Sequence, residues 1–435
     1  MENVENEDYK LGDAGSIAKK ISEGEWPFWK KLLIFLSIGL VLIILLIIII
    51  VSVNSSDKKK EEEMEAVIDE SRVVGEIICQ FHIDSSRVKT ELLSKEFKNP
   101  NSIDMSIDDK KVEFLREYQF SKTDNHKLRF VFYESNINLD FMFKNIKSLI
   151  SVEMKSNKNF AVTSLQSTFE NCENLIKFNI TGYDISQVKS IQKLFSGANN
   201  LVEINLDIFE NNNIEDMSYL FSMSKLKEID LSKLTTSKVK NMSHMFYGSG
   251  YLTSLNLNSL DTSSVEDMSY MFSNCEELKY ITLTNFKTKN VKNMSNMFSN
   301  CMFLEELDLS SFETDNVEDM SFMFENCNML ESLDLKNFKT EKVKYMQGMF
   351  RFANNLNYID LSNFKTSNVI NFSQMFQSCG DLLSLDISNF VTTNAEDMSY
   401  MFDFCSNLYQ LKISTSSFTT NKVYNFTGMF SNCVN

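Results

Sequence analysis

A phenylalanine returns at an almost constant interval through most of this chain of 435 residues. The intervals are 26, 26, 26 and 25 residues, then six of 26 and one of 28. A fixed period of this length predicts a solenoid, in which each unit buries its apolar face only against its neighbours. The recurring positions are Phe143, Phe169, Phe195, Phe221, Phe246, Phe272, Phe298, Phe324, Phe350, Phe376, Phe402 and Phe430.

Each unit carries a Leu-x-x-Leu-x-Leu stretch, as in Leu304, Leu307 and Leu309. The alternation at its end places apolar side chains inward and their neighbours outward, which is typical of a strand. Because the same stretch recurs in every unit, we expect a parallel β-ladder along the solenoid.

The second half of the unit contains Met320, Met323, Phe324 and Cys327, spaced by three, one and three residues. This spacing favours one face of a helical turn. Asp319 precedes it, in a column that holds mostly Asp and Asn, and these residues are preferred helix N-caps. The sequence therefore predicts an α/β repeat, with a strand and a helical turn in each unit.

The unit Leu-x-x-Leu-Asp-Leu-Ser-x-Phe-x-Thr-x-x-Val-x-x-Met-x-x-Met-Phe-x-x-Cys resembles the BspA-like leucine-rich repeat. Residues 304–327 match that pattern at every specified position, and the resemblance covers residues 139–435. It implies about twelve repeats in a curved solenoid with a parallel β-ladder on one side. It also implies display at a cell surface and an adhesive or protein-binding role, with no catalytic residues shared across the family.

The residue between the last two apolar strand positions is expected to point outward, on the concave side. Four successive units place aspartate there, and in a parallel ladder they would stand about 4.8 Å apart. The row has two interpretations. It is a solvated face, on which Lys336 and salt screen the repulsion between the carboxylates, or it is a surface for a basic partner or loosely held calcium. This candidate binding surface is Asp230, Asp308, Asp334, Asp360 and Asp386.

The region before the repeats has several parts. Residues 1–31 are read as a polar tail and 54–72 as a charged linker. Residues 32–53 are 22 residues without a charge. At about 1.5 Å per residue they reach roughly 33 Å, enough for one transmembrane helix; a cleaved signal peptide is the alternative. Residues 73–138, with strand-like segments at 77–83 and 128–133, are interpreted as a small β-rich cap, and a separate ligand-binding domain is the alternative.

Lys30 and Lys31 adjoin the apolar segment, whereas Lys58 lies five residues beyond it. This favours a cytoplasmic N-terminus and repeats outside the plasma membrane, the type II orientation.

Composition excludes several functions. A formal net charge of −16 argues against nucleic-acid binding, which needs clustered Lys and Arg. Seven cysteines share a column with Ala and Ser, so they are expected to be small buried residues, although disulfides between stacked cysteines stay open. No zinc spacing, phosphate loop or nucleophile motif is found, so no enzyme, cofactor or metal centre is predicted. His244 occupies a variable column and is expected to be solvated.

These patterns together predict a single-pass membrane protein that displays the solenoid as a recognition or adhesion surface for protein partners. Two alternatives stay open. In the first, the repeats associate with each other as a structural surface protein, through the end of the array. In the second, they face the cytosol as an intracellular membrane-bound scaffold.

Overall fold

The computed structural model describes residues 28, 32–33, 36–37, 39–51, 67–98, 103–210 and 212–433, without the side chains of 157–159. The chain divides into two units, Met1–Ile68 and Asp69–Asn435.

In the first unit, residues 39–51 are helical and their large apolar side chains are exposed. Within the described part of the chain, no helix is both long and apolar enough to cross a membrane. The predicted span 32–53 lies partly outside the described residues. The predicted tail 1–31 and linker 54–72 lie mostly outside them.

The second unit begins with an antiparallel sheet that precedes the repeats. Its central strands β1 and β6 pair along their whole length, from Gly75 opposite Phe132 to His82 opposite Asn125. They contain all but the last residue of each of the two segments predicted as strands. The strand bounds are β1 Gly75–His82, β2 Thr90–Glu91, β3 Ile103–Ile107, β4 Lys110–Val112, β5 Glu117–Tyr118, β6 Asn125–Phe132 and β7 Asn136–Asn138.

The sheet continues without a break into the first coils of the solenoid. Strand β8 (Leu149–Ser164) pairs antiparallel with β1 on one side and parallel with β9 (Lys177–Asp184) on the other. Strand order is β10-β9-β8-β1-β6-β3-β4, with β7 beside β8. Because β1 occupies the free edge of β8, it covers the apolar face that the first coil would otherwise expose.

Beyond β9 the Leu-x-x-Leu-x-Leu stretches form only short strands. Parallel pairs join β11 to β12 and β13 to β14, and a bridge joins Tyr280 to Glu306. The predicted parallel ladder is therefore present but interrupted. The remaining elements are β10 Glu203–Ile204, a 3₁₀ turn Asp207–Phe209, β11 Ser254–Asn256, β12 Tyr280–Thr282, β13 Ser384–Asp386 and β14 Gln410–Lys412.

The predicted helical turn is wrong, and with it the α part of the α/β assignment. Phe322 and Asn326 have φ of +54° and +56°, left-handed values that end any α-helix. The N–H groups of Met320, Phe322, Phe324 and Asn326 donate to carbonyls of the next coil at 2.7–3.0 Å instead of to their own turn. The stretch is a succession of tight turns in a β-solenoid. Their three-residue spacing, seen in the bond from Met323 N–H to the Met320 carbonyl, imitates a helical period.

The Asp and Asn column predicted as N-caps makes the expected side-chain bond without a helix behind it. Asp319 Oδ1 accepts the N–H of Ser321 at 2.8 Å, and Asn293 Oδ1 accepts that of Ser295 at 3.0 Å. These are Asx turns. The same column forms the most continuous parallel ladder of the protein, bridged coil by coil from Ser190 to Asn425.

The core is a stack of the recurring phenylalanine rings. Consecutive rings from Phe143 to Phe430 have centroids 5.2–6.0 Å apart. The cysteine column lies beside them as free thiols, and Cys301 Sγ donates to the Phe272 carbonyl at 3.2 Å. Six of the seven cysteines of the column are buried, as expected, and Cys433 is half-buried.

Candidate binding surface

The acidic row, defined as Asp230, Asp308, Asp334, Asp360 and Asp386, faces outward as predicted. Four of the five are exposed and Asp360 is half-buried. Asp308 to Asp386 occupy four successive coils, whereas Asp230 is separated from them by coils that carry Asn256 and Thr282. Only Asp386 lies in a paired strand, opposite Lys412.

Each aspartate of the row has a structural role for one of its two oxygens. In all five, Oδ1 accepts the N–H group two residues further along, at 2.9–3.1 Å. Hydrogen bonds from Ser310 lower the pKa of Asp308, and those from Ser362 lower the pKa of Asp360. The second oxygen, Oδ2, is not used by the Asx turn.

Two lysines partly neutralise the row. Lys412 Nζ lies 3.3 Å from Asp386 Oδ2, and Lys336 Nζ lies 3.6 Å from Asp334 Oδ2. Lys336 is the lysine expected from the sequence to screen the repulsion between these carboxylates. Both pairs are exposed, so water and salt screen them and they contribute little to stability. Among the residues that the structure describes, no group of three or more His, Cys, Asp or Glu side chains could hold a metal ion.

The sequence analysis missed two tyrosines that share this face. Tyr280 and Tyr358 are 52% and 63% exposed. Each lies two residues before a row position, Thr282 and Asp360, and so points to the same side of the sheet. The alternation of inward and outward residues that identified the aspartates also predicts that these tyrosines face outward, but they carry no charge that would single them out.

A depression of about 300 Å³ lies on this face between the coils of Asp360 and Asp386. Tyr358 lines it together with both aspartates, so an aromatic ring and two carboxylates surround one opening. Ser384, Gln410 and Lys412 complete its polar rim.

His244 is not solvated, contrary to expectation. Its ring stacks between Tyr219 and Tyr270, with centroid distances of 4.2 and 4.5 Å. Its Nδ1 atom is buried and has no hydrogen-bond partner in the described part of the chain. Burial lowers the pKa of His244. The variable residue type at this repeat position did not indicate exposure, because three successive coils carry rings there and these rings stack on one another.

Comparison with known families gives one match. The family model described as "Mycoplasma protein of unknown function, DUF285" matches residues 137–254, 252–357 and 329–435. These matches cover the residues that carry the BspA-like signature, and the resemblance is confirmed.

Solved structures with detectable similarity include two bacterial repeat proteins. A leucine rich cell surface protein from Faecalibacterium prausnitzii is 16% identical, with a TM-score of 0.30, 66% of this chain covered and 85% of that chain. A leucine-rich repeat protein from Eubacterium ventriosum is 14% identical, with a TM-score of 0.37, 66% of this chain covered and 91% of that chain. No curated protein matches the sequence.

Proposed function

Because the chain belongs to the family described as "Mycoplasma protein of unknown function, DUF285", a family defined by these repeats, we propose that it is a cell-surface recognition or adhesion protein. Its partner is a protein with an exposed basic segment. The partner binds the outward face that carries the acidic row, Tyr280 and Tyr358.

The depression between Asp360 and Asp386 is the observation that supports this proposal most directly. A lysine or arginine side chain is attracted to the face of a tyrosine ring and to carboxylate oxygens. Tyr358 and the two aspartates offer both around one opening. Exposed tyrosine is also among the residues that most often dominate the energy of protein interfaces.

Charge adds to this support. The net charge is −16, so a basic partner is attracted before contact, and this attraction weakens as salt is added. The Oδ2 atoms of the row carry charge on the surface where contact would occur. A neutral partner would lack this electrostatic attraction.

We further propose that residues 32–53 anchor the protein in the plasma membrane with the repeats outside. The support is the uncharged run of 22 residues, and Lys30 and Lys31 directly before it. Deletion of 32–53 is expected to release the protein from membranes into the soluble fraction. Retention of the deleted protein after alkaline washing would contradict the anchor.

The binding proposal is tested with Asp334→Asn/Asp360→Asn, which preserves side-chain shape and the Asx turns. An oligolysine peptide is the probe and an oligoglutamate peptide is the reverse-charge control. We expect the wild type to bind oligolysine in a salt-sensitive manner and the double variant to lose most of this binding. The matched control is Asp84→Asn/Asp381→Asn, which removes the same charge from exposed positions outside the row.

Three results would contradict the proposal. Equal loss in both double variants would mean that only net charge matters. Equal binding in all three proteins would place recognition elsewhere. A calcium-dependent rise in thermal stability that the row variant lacks, without peptide binding, would make the row a cation site.

A further inference from the structure

The shortest repeat of the array contains a local deletion. Phe221 and Phe246 are 25 residues apart, where the other intervals are 26 or 28. The missing residue lies between the phenylalanine and the first leucine of the unit, because Leu226 follows Phe221 one residue sooner than Leu252 follows Phe246. One coil is therefore cut short on one side while the next coil, with Gly250 and Tyr251, keeps its full length.

This mismatch coincides with an open depression of about 720 Å³. That volume is within the range of small-molecule binding sites. The shortened coil has no strand in residues 226–231, as is also the case in full-length coils such as 330–335. The depression is lined by Met223, Lys227, Tyr247, Gly248, Gly250, Tyr251, Thr253, Asn274, Glu276 and Glu277.

Two glycines keep the floor of the depression free of side chains. Gly248 has φ of +67°, and a Cβ atom there would come within 2.5 Å of the Met223 sulfur. The Met223 side chain can therefore lie across Gly248 only because that residue is glycine. At Gly250 an added Cβ would meet only one atom, at 3.8 Å, so that space is open. Met223 and Tyr251 remain 56% and 53% exposed on either side.

Several polar side chains around the depression are not engaged across coils. Elsewhere Lys292 pairs with Glu266 at 2.6 Å and Lys344 with Glu318 at 2.7 Å. Four exposed side chains at the depression make no hydrogen bond or ion pair with any residue that the structure describes: Lys227, Thr253, Glu276 and Glu277. Their donors and acceptors are free for a ligand.

We propose that this depression binds a neutral sugar unit of a glycan. A pyranose ring has an apolar C–H face that packs on an aromatic ring, and hydroxyl groups at its edge that bond to carboxylates and hydroxyls. Tyr251 supplies the half-exposed ring, over which the Lys225 Nζ atom lies at 6.0 Å from the centroid. Met223 supplies an adaptable apolar wall, and Glu276, Glu277 and Thr253 supply the hydrogen-bonding edge. The two glutamates disfavour an anionic ligand. The site is independent of the acidic row.

The test uses the full chain in a detergent that contains no sugar. The probes are the methyl glycosides of glucose, galactose, mannose and N-acetylglucosamine, with binding measured by saturation-transfer NMR. We expect at least one of them to bind, and Tyr251→Ala to weaken it about tenfold or more, since one stacked ring contributes on that order. Tyr409→Ala, which removes another exposed tyrosine, is the control and retains binding.

A second variant tests whether the one-residue deletion creates the depression, and it replaces none of the residues that line it. Insertion of one glycine between Ser224 and Lys225 restores the 26-residue interval and is expected to close the depression and abolish sugar binding. Its thermal unfolding temperature should be equal to or above that of the wild type, because the inserted residue gives this coil the same length as its neighbours. Unchanged sugar binding in this variant would overturn the proposal.

Two further results would overturn it. The first is that none of the four glycosides binds. The second is that N-acetyl-tryptophanamide binds and the glycosides do not, which would make the depression an anchor pocket for a protein side chain. Asp334→Asn/Asp360→Asn should keep sugar binding, so failure here and failure of the acidic row are distinguishable.

Discussion

The two long sides of each coil are built differently. One side carries the recurring Met-Phe pair and is called the Met-Phe side; the other carries the Leu-x-x-Leu-x-Leu stretch and is called the Leu side. On the Met-Phe side, every coil donates backbone hydrogen bonds to the next, and the Asp and Asn column is bridged from Ser190 to Asn425. On the Leu side, strand pairing is interrupted, and the stretches at 330–335 and 356–361 have no assigned strand. The side predicted as the sheet is thus the less regular one, and the side predicted as helical is the continuous ladder.

Side-chain amides replace part of the missing strand pairing. Asn363 Nδ2 lies 2.9 Å from the Leu335 carbonyl, 3.3 Å from that of Lys336 and 2.6 Å from that of Phe338. Asn337 and Asn389 make the equivalent contacts with their preceding coils. A ladder held by side chains leaves the adjacent outward positions free to vary, and the candidate binding residues occur on this side.

The largest expected effect is on the Met-Phe side. Phe324 is 1% exposed, and its ring stacks on Phe298 and Phe350 at 5.9 and 5.8 Å. Phe324→Ala leaves a cavity between two coils and should lower the free energy of unfolding by roughly 3–5 kcal/mol. Denaturant titration measures this. A loss below about 1 kcal/mol would show that the phenylalanine stack does not hold the coils together.

A smaller loss is expected on the Leu side from Asn363→Asp, which keeps shape but removes the donor. Carbonyl groups of the preceding coil then lose their partner, which costs about 1–3 kcal/mol. Asn368→Asp removes the single bond to the Glu341 carbonyl on an exposed surface and should cost less. If both variants have the same stability, the amide contacts of Asn363 do not substitute for strand pairing.

The repeat, its inward positions and the outward direction of the acidic row could all be predicted from sequence, because periodicity determines which side chains face the same way. The hydrogen-bonding partner of each backbone group could not. A spacing of three, one and three residues fits both a helix and successive tight turns, and only the left-handed residues Phe322 and Asn326 separate them. The stacking of His244 was also hidden, since it depends on which coils are neighbours and not on its own column.

The stacked ring of His244, on the Met-Phe side, predicts that the free energy of unfolding depends on pH. Burial lowers its pKa, with Lys193 lowering it further and Asp267 opposing. The folded state then binds fewer protons than the unfolded state, whose histidine has a pKa near 6.5. Stability is complete above about pH 6.5 and falls as pH decreases below it. Between about pH 7.5 and 5.5 the wild type should lose more stability than His244→Asn, and an equal loss would exclude the histidine as the cause.

The smallest stability effect is expected in the acidic row, and it separates the two roles of each aspartate. Asp360→Asn keeps an oxygen to accept the Ser362 N–H at 3.0 Å, so the free energy of unfolding should change by no more than about 0.5 kcal/mol. Asn205 and Asn256 occupy this column in other coils, and their Oδ1 atoms accept the N–H groups of Asp207 and Asn258 at 2.8 and 3.1 Å, so an amide oxygen serves the turn.

Asp360→Ala removes the acceptor and should cost about 0.5–1.5 kcal/mol. If the alanine variant is as stable as the wild type, the Asx turn contributes nothing and charge alone would account for aspartate at this position. If the asparagine variant is as unstable as the alanine variant, the turn depends on the negative charge, and the Oδ2 atoms are not free for a partner. In the expected order of stability, Asp360→Asn is close to the wild type and Asp360→Ala lies below it. This order would mean that one carboxylate oxygen stabilises the turn while the other can contact a partner.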